Sequence, residues 1–217
     1  MTLLTDERAA LAQAARRIAA RGLVIGTAGN LSMRSGDLIA VSPTGCVLAE
    51  LTADDVAVID LTGAVVAGSL APTSETALHT RIYRSTDALA VAHAHAPASI
   101  AVACTQDELP VLHYAQSLGL GGAVRVAPFA PFGTEELAAA VVSALAGRSA
   151  ALLANHGSVA VGASIEQACE RLELLEWCAD LFARSVALGT PRPLSETQQE
   201  AVALVARTRE YGTTRPI

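Results

Sequence analysis

Short segments in which apolar and polar residues alternate constrain the fold of this chain most strongly. They occur in pairs in the first third of the sequence, and each pair surrounds a turn that contains glycine. The pairs are residues 30–34 and 37–42 around Ser35-Gly36, and residues 56–60 and 64–67 around Thr62-Gly63. A period of two that is interrupted by such a turn is typical of antiparallel strands. The sequence therefore predicts an antiparallel sheet in this region.

From Thr73 onwards the apolar residues follow the period of a helix, with Thr73 or Ser74 as the expected N-cap. Further helices are predicted at 5–21, 97–104, 134–146, 164–188 and 195–209, and further strands at 88–94, 124–127, 150–155 and 159–162. Trp177 and Phe182, in the longest helix, are expected in the core. No repeat, low-complexity tract or linker divides the chain. Residues 1–217 are therefore predicted to form a single three-layer α/β domain, with a mostly antiparallel central sheet and helices on both faces.

The composition excludes several classes of protein. Of the 217 residues 52% are hydrophobic, 17% are charged, and the net charge is −6. This acidic balance argues against a nucleic-acid partner, and the longest apolar stretches are far shorter than the roughly 20 residues of a membrane-spanning helix. Asp6 and Glu7 precede any apolar run, unlike in a secretory signal. A cytoplasmic protein is expected.

The chain contains no lysine, and all 15 of its basic residues are arginine. A Schiff-base aldolase, a pyridoxal-phosphate enzyme and a Walker-A nucleotidase each need a lysine amine. These classes are excluded as they are normally built, so any carbonyl chemistry needs another electron sink. The cysteines at 46, 104, 169 and 178 lack the spacing of a metal site and are expected to be buried thiols with no catalytic role.

Histidines at the ends of two predicted strands carry the strongest chemical signal. His93 and His95 are two residues apart, so on a strand their imidazoles point to the same face. His156 lies at the end of another apolar strand, beside a glycine that would permit a sharp turn. Isolated histidines usually pack in a core, but three imidazoles with an open fourth position are typical of catalytic zinc. His79 is expected to be structural, and the sequence does not assign His113.

Polar residues also gather where a phosphate or a proton could be bound. Glu75 begins a helix after Pro72-Thr73-Ser74, so it either belongs to a capping segment or accepts a proton or binds a metal. The segments 26–30 (Gly-Thr-Ala-Gly-Asn) and 42–45 (Ser-Pro-Thr-Gly) are small-residue loops. Such loops often only connect strands, but their N–H groups and hydroxyls can also cradle a phosphate.

In order and spacing these motifs resemble the class II aldolase/adducin family, in the branch of L-fuculose-1-phosphate aldolase. The resemblance covers nearly the whole chain and is carried by the set G-T-A-G-N, S-P-T-G, P-T-S-E, H-A-H, L-H-Y, F-G-T and N-H-G. It implies one Zn²⁺ bound by the side chains of His93, His95, His156 and Glu75. It also implies that Glu75 is the catalytic acid/base and that Tyr114 and Tyr211 contribute to catalysis.

The resemblance implies further that the substrate phosphate is held by Gly29, Asn30, Thr44, Gly45, Thr73 and Ser74. Thr73 stands where the aldolases usually have serine, which retains the hydroxyl. Tyr211 is matched as the only tyrosine near the C-terminus. The family also implies a homotetramer with active sites between subunits.

The expected reaction is reversible, zinc-dependent cleavage of a ketose 1-phosphate, such as L-fuculose 1-phosphate, to dihydroxyacetone phosphate and a short aldehyde. Alternatives are a metal-dependent dehydratase of the methylthioribulose-1-phosphate type, a decarboxylase, a sugar-phosphate 4-epimerase, and a non-catalytic module like the adducin head. The epimerases carry an extra acidic residue near the Tyr114 segment, and residues 111–124 contain none. The non-catalytic module would lose the histidines or Glu75, all of which are present.

Overall fold

A computed structural model, which describes residues 3–212, contains a nine-stranded sheet that begins with the two predicted hairpins. The strands are β1 (Asn30–Ser35), β2 (Leu38–Val41), β3 (Ala57–Asp60), β4 (Val65–Ala67), β5 (Ala90–Ala94), β6 (Glu108–Leu109), β7 (Val124–Ala127), β8 (Ala150–Leu153) and β9 (Gly157–Gly162). Their order is β4-β3-β2-β1-β5-β9-β8-β7-β6. Neighbouring strands pair antiparallel except β7 and β8, which run parallel. The prediction of a mostly antiparallel sheet is confirmed.

Helices cover both faces of this sheet. They are α1 (Thr5–Ala20), α2 (Thr76–Ser85), α3 (Pro97–Ala103), α4 (Tyr114–Leu120), α5 (Glu135–Ala144), α6 (Ile165–Leu188) and α7 (Glu196–Thr208). Successive strand residues belong to different apolar clusters, because side chains alternate between the faces of a sheet. Ala92 packs in the cluster that includes α1, α3 and α6, whereas Val91 packs in the cluster with α2 and α5. The chain therefore forms the predicted three-layer α/β domain.

The central strand β5 places the histidine motif between two neighbouring strands. His93 pairs with Asn30 of β1 on one side and with Val159 of β9 on the other. All five residues of β5 are buried. The pairing brings the end of β1 and the start of β9 beside the two histidines of β5, so motifs that are far apart in the sequence meet at one end of the sheet.

The helix starts agree with the sequence at Ser164 and Ser195, whose hydroxyls cap α6 and α7. The expected N-cap of α2 is wrong, since Glu75 occupies that position without a side-chain cap. The Thr73 hydroxyl instead accepts the N–H of Glu75 at 3.2 Å and closes a turn before the helix.

Two core expectations are also corrected. Phe182 is buried as predicted, but Trp177 is 47% exposed because it lies on the outer side of α6, where its ring contacts that of His113. Of the four cysteines expected to be buried, Cys104 is exposed and Cys46 is half-buried, whereas Cys169 and Cys178 are buried. The short elements β6 and α4 were not predicted.

Within residues 3–212, none of the helices has the length and apolar character needed to cross a membrane.

Helix α6 offers a matched test of the core. Leu172 is fully buried in it and Leu188 is 91% exposed at its C-terminal end. We expect Leu172→Ala to lower the free energy of unfolding by about 2–5 kcal/mol, because it leaves a cavity. Leu188→Ala should change it by no more than about 0.5 kcal/mol. Urea denaturation measures both, and equal effects would contradict the assignment of the α6 core face.

Candidate active site

Three imidazoles and one carboxylate meet at the C-terminal end of strand β5. His93 belongs to β5, His95 follows this strand, His156 precedes β9 and Glu75 precedes α2. The ring centroids of the histidines are 4.9–5.0 Å apart. One ligand atom from each of the four residues lies within 4.8 Å of the others. The structure thus brings together the four residues that the family resemblance implies as metal ligands.

Hydrogen bonding settles which ring nitrogen of His93 faces the cluster. Its Nδ1 lies 3.0 Å from the carbonyl oxygen of Ser158, which can only accept, so Nδ1 carries the hydrogen. In the neutral ring Nε2 then has a lone pair. This Nε2 lies 3.1 Å from Nε2 of His95 and 3.1 Å from Oε2 of Glu75.

Burial keeps the other two imidazoles neutral. Burial, followed by the proximity of His93, lowers the pKa of His95 to about 4, and the same two causes lower the pKa of His156 to about 4. Both rings are therefore neutral at pH 7 and have a nitrogen lone pair to offer a metal ion.

Glu75 is 5% exposed, yet its carboxylate is held ionised. Burial alone would raise the pKa of Glu75, but the proximity of His93 and the hydrogen bond from Asn30 outweigh burial and hold that pKa well below its ordinary value. Oε2 accepts a hydrogen bond of 2.8 Å from Nδ2 of Asn30. Oε1 is buried and has no hydrogen-bond partner.

These four groups fit a divalent metal ion. The cluster joins three imidazole nitrogens with a carboxylate that has one unsatisfied buried oxygen. Lone pairs that face one another in a buried site are unfavourable unless a cation lies between them. Imidazole and carboxylate are also the ligands that catalytic zinc sites combine.

The turn that carries His156 is built differently from the prediction. Asn155, and not Gly157, takes the left-handed conformation, with φ of 56°. Asparagine is among the few residues with a side chain that tolerate this conformation. Gly157 is required for a close approach, because a Cβ there would overlap the carbonyl oxygen of Ala94 and lie 3.1 Å from the ring of His95. A glycine thus keeps β9 against the end of β5.

A cavity of about 640 Å³ opens onto the cluster. His95, His156 and Glu75 contribute to its wall, while His93 is fully buried behind them. All six residues predicted to hold the substrate phosphate also line it, namely Gly29, Asn30, Thr44, Gly45, Thr73 and Ser74. No arginine among the described residues lines this cavity.

The loop 42–45 and the segment 71–74, which both line the cavity, are bonded to each other. The N–H of Thr44 donates to the carbonyl of Ala71, and the N–H of Thr73 donates to the carbonyl of Ser42, both at 3.0 Å. These backbone groups are therefore already used, so Thr44 and Thr73 offer a ligand their hydroxyls. Gly29 has φ of 88°, and a Cβ there would lie 3.0 Å from the carbonyl oxygen of His93.

Tyr114 and Tyr211 do not reach the histidine cluster within one chain. They line a second, apolar cavity of about 370 Å³ together with residues of α4 and α7, and the two cavities share no lining residue. Their ring centroids are 6.2 Å apart, and both rings are exposed. His113 caps α4 by accepting the N–H of Ala115. The structure therefore assigns this histidine a local role.

Sequence reasoning missed two contributors to the site. Phe129 and Phe132, both about two-thirds exposed, line the main cavity. Their signal is the segment Pro-Phe-Ala-Pro-Phe, which holds two of the three phenylalanines of the chain in a loop. The second omission is the direct contact of Asn30 with both Glu75 and His79.

The metal assignment can be tested by removing one ligand. Loss of a residue that only hydrogen-bonds to a metal ligand costs up to roughly 100-fold in metal affinity. His93→Ala should weaken Zn²⁺ binding by more than this, because it removes a ligand nitrogen and leaves a cavity in its place. Competition with a chromophoric chelator measures the affinity, and His113→Ala is the matched control. A His93→Ala protein that retains one tightly bound ion per chain would contradict the assignment.

Comparisons with known proteins agree with this geometry. Residues 9–183 match the family model of the class II aldolase and adducin N-terminal domain. A 5-deoxy-D-ribulose 1-phosphate aldolase of Bacillus thuringiensis serovar kurstaki is 35% identical over 204 residues, 93% of this chain and 95% of the relative. A 5-methylthioribulose-1-phosphate/5-deoxyribulose-1-phosphate aldolase of Rhodospirillum rubrum is 35% identical over 206 residues, 94% of this chain and 92% of the relative.

A solved structure extends the likeness to the fold. An L-fuculose 1-phosphate aldolase superposes with a TM-score of 0.89 at 33% identity, covering 94% of this chain and 97% of that chain. The chain therefore belongs to the class II aldolase and adducin family and is one of its aldehyde-lyases.

Proposed function

We propose that this protein is a zinc-dependent aldolase that reversibly cleaves a ketose 1-phosphate, such as L-fuculose 1-phosphate or a related sugar, to dihydroxyacetone phosphate and a short aldehyde. The observation that carries the proposal is the joint placement of the metal-type cluster and the small-residue loops around one cavity. The relatives named for aldol cleavage of 1-phosphorylated ketoses support the same substrate class.

His93, His95, His156 and Glu75 are proposed to hold one Zn²⁺ ion. When bound, the ion would supply a Lewis acid that stabilises negative charge developing on a substrate oxygen. Such an acid is the electron sink that a chain without lysine needs.

The loops that line the same cavity hold the substrate phosphate. The hydroxyls of Thr44, Thr73 and Ser74 donate to its oxygens, and glycines 29 and 45 let the backbone approach closely. Since no arginine among the described residues lines the cavity, neutral donors would carry this recognition. Binding the phosphate in this way also fixes the reacting carbon relative to Glu75.

Glu75 is proposed as the group that moves the proton at carbon. In the direction of condensation its carboxylate accepts a proton from the carbon next to the ketone of dihydroxyacetone phosphate, and in cleavage it returns that proton. The low pKa of Glu75 keeps it in the accepting form. Tyr114 donates a proton to the aldehyde oxygen during condensation and recovers it during cleavage.

Tyr114 and Tyr211 act in this proposal from a neighbouring subunit of a cytoplasmic homotetramer, in which residues 1–217 form one catalytic domain per subunit. Within one chain the two tyrosines line a different cavity from that of the histidines, which supports a site shared between subunits. The surface around them includes apolar residues of α7 that are about half exposed, such as Leu204 and Val205.

The reaction is tested by measuring release of dihydroxyacetone phosphate from a panel of ketose 1-phosphates, with and without a chelator. The panel contains L-fuculose 1-phosphate, 5-deoxyribulose 1-phosphate and 5-methylthioribulose 1-phosphate. We expect release that the chelator abolishes and that added Zn²⁺ restores. Loss of substrate without this product would assign the protein to the dehydratases instead, and release that withstands the chelator would contradict the metal mechanism.

The role of Glu75 has its own test. Glu75→Gln keeps the shape of the side chain and the three imidazoles, so the protein should still bind zinc through the histidines, with lower affinity, and turnover is compared at saturating Zn²⁺. The amide cannot accept the proton, and general acid/base groups typically contribute 10²–10⁴-fold. We therefore expect kcat to fall by about that factor. Zinc content and turnover measured on one preparation decide the point, and near-normal turnover would exclude Glu75 as the base.

A further inference from the structure

A buried chain of hydrogen bonds runs from helix α2 to the carboxylate of Glu75. The hydroxyl of Tyr83 lies 2.7 Å from that of Ser32, which lies 2.7 Å from Nδ1 of His79. Nε2 of His79 lies 2.6 Å from Oδ1 of Asn30, and Nδ2 of Asn30 lies 2.8 Å from Oε2 of Glu75. The first four residues are at most 5% exposed, so water does not compete for these bonds.

The direction of every bond follows from its Glu75 end. The ionised carboxylate can only accept, so the Asn30 amide presents Nδ2 to it and turns Oδ1 towards His79. Oδ1 can only accept, so Nε2 of His79 carries a hydrogen. Burial lowers the pKa of His79 to about 4, so the ring is neutral and Nδ1 accepts from Ser32. Ser32 in turn accepts from Tyr83.

We propose that His79 is a positioning residue, which locks the amide of Asn30 so that it holds Oε2 of Glu75 and leaves Oε1 for the metal and substrate side of the site. An asparagine amide can rotate by 180°. With His79 in place, the rotated amide would set an N–H group against the N–H of His79 and an oxygen against the carboxylate. Both contacts are repulsive in a buried site, so only one orientation remains.

The orientation of Asn30 determines how the two carboxylate oxygens of Glu75 are used. Oε1 of Glu75 lies 3.6 Å from Nε2 of His156 and has no hydrogen-bond partner, whereas Oε2 is anchored by Asn30. Without the anchor the carboxylate could rotate and satisfy Oε1 elsewhere. The effect on turnover rests on the proposed function, but the placement of the carboxylate is a property of the folded chain and affects metal binding directly.

The test compares two substitutions of His79 in the metal-depleted full-length protein. His79→Phe keeps a ring but removes both nitrogens, and His79→Gln keeps an N–H donor. Loss of an outer partner of a metal ligand typically costs 10–100-fold in metal affinity. We expect a Zn²⁺ affinity about 10–100-fold weaker for His79→Phe and recovery of most of this loss in His79→Gln. Chelator competition measures both.

A double-mutant cycle separates positioning from general packing. Because His79 acts through Asn30, the double variant Asn30→Ala/His79→Phe should bind Zn²⁺ no more weakly than Asn30→Ala alone. Tyr83→Phe is the matched control, since Tyr83 lies in the same helix and is equally buried but stands at the far end of the chain of bonds. It should leave the affinity unchanged, and circular dichroism verifies that each variant is folded.

Four results would overturn the proposal. They are wild-type affinity in His79→Phe, equal losses in His79→Phe and His79→Gln, additive losses in the cycle, and wild-type affinity in Asn30→Ala. The last result would overturn the proposal even where His79→Phe does not fold. If the wild-type protein cleaves none of the ketose phosphates, the proposed reaction fails, while the metal affinities still decide the role of His79.

Discussion

The pairing of β5 with β1 and β9 is the constraint on which the site depends. It sets His93 beside Asn30 and holds the carbonyl of Ser158 against Nδ1 of His93. Asn30 in turn donates a hydrogen bond to Glu75. The carbonyl of Ser158 determines that Nε2 is the nitrogen of His93 that faces the cluster. A shift of the β5 register by one residue would turn the imidazole of His93 to the other face of the sheet. The ligand geometry is thus a consequence of strand register.

The larger elements and the convergence of His93 and His95 were predictable because each rests on local patterns. The two hairpins, the serine caps of α6 and α7 and the H-x-H spacing all encode their structure within a few residues. The exposure of Trp177 was not predictable, because it depends on how distant segments such as that of His113 pack against α6. The start of α2 was missed because the Thr73 hydroxyl closes a turn with Glu75 and does not cap the helix, a choice that the sequence leaves open. His79 illustrates this limit, since its environment is built by residues more than 45 positions away.

The site separates two kinds of recognition in space. His95, His156 and the buried Glu75 form one wall, with the fully buried His93 behind them, and these groups offer lone pairs to a metal ion. Small residues and hydroxyls form another wall, where shape and neutral donors suit a phosphate. The tyrosines stand apart on a different surface. A cavity arranged in this way orients a ligand by its two ends, and the reacting atoms between them need few contacts of their own.

The loop that carries Phe129 and Phe132 differs from the other walls in how it is attached. Its end is fixed, because a Cβ on Gly133 would overlap the carbonyl of Ser74, and Thr134 caps α5. The two aromatic rings are exposed. Mutations at these tips can therefore reshape the cavity while leaving the imidazole cluster and its supporting hydrogen bonds intact. Because the loop and the imidazole cluster are separate, substitutions in the loop can change which substrates fit the cavity while the metal-binding residues stay the same.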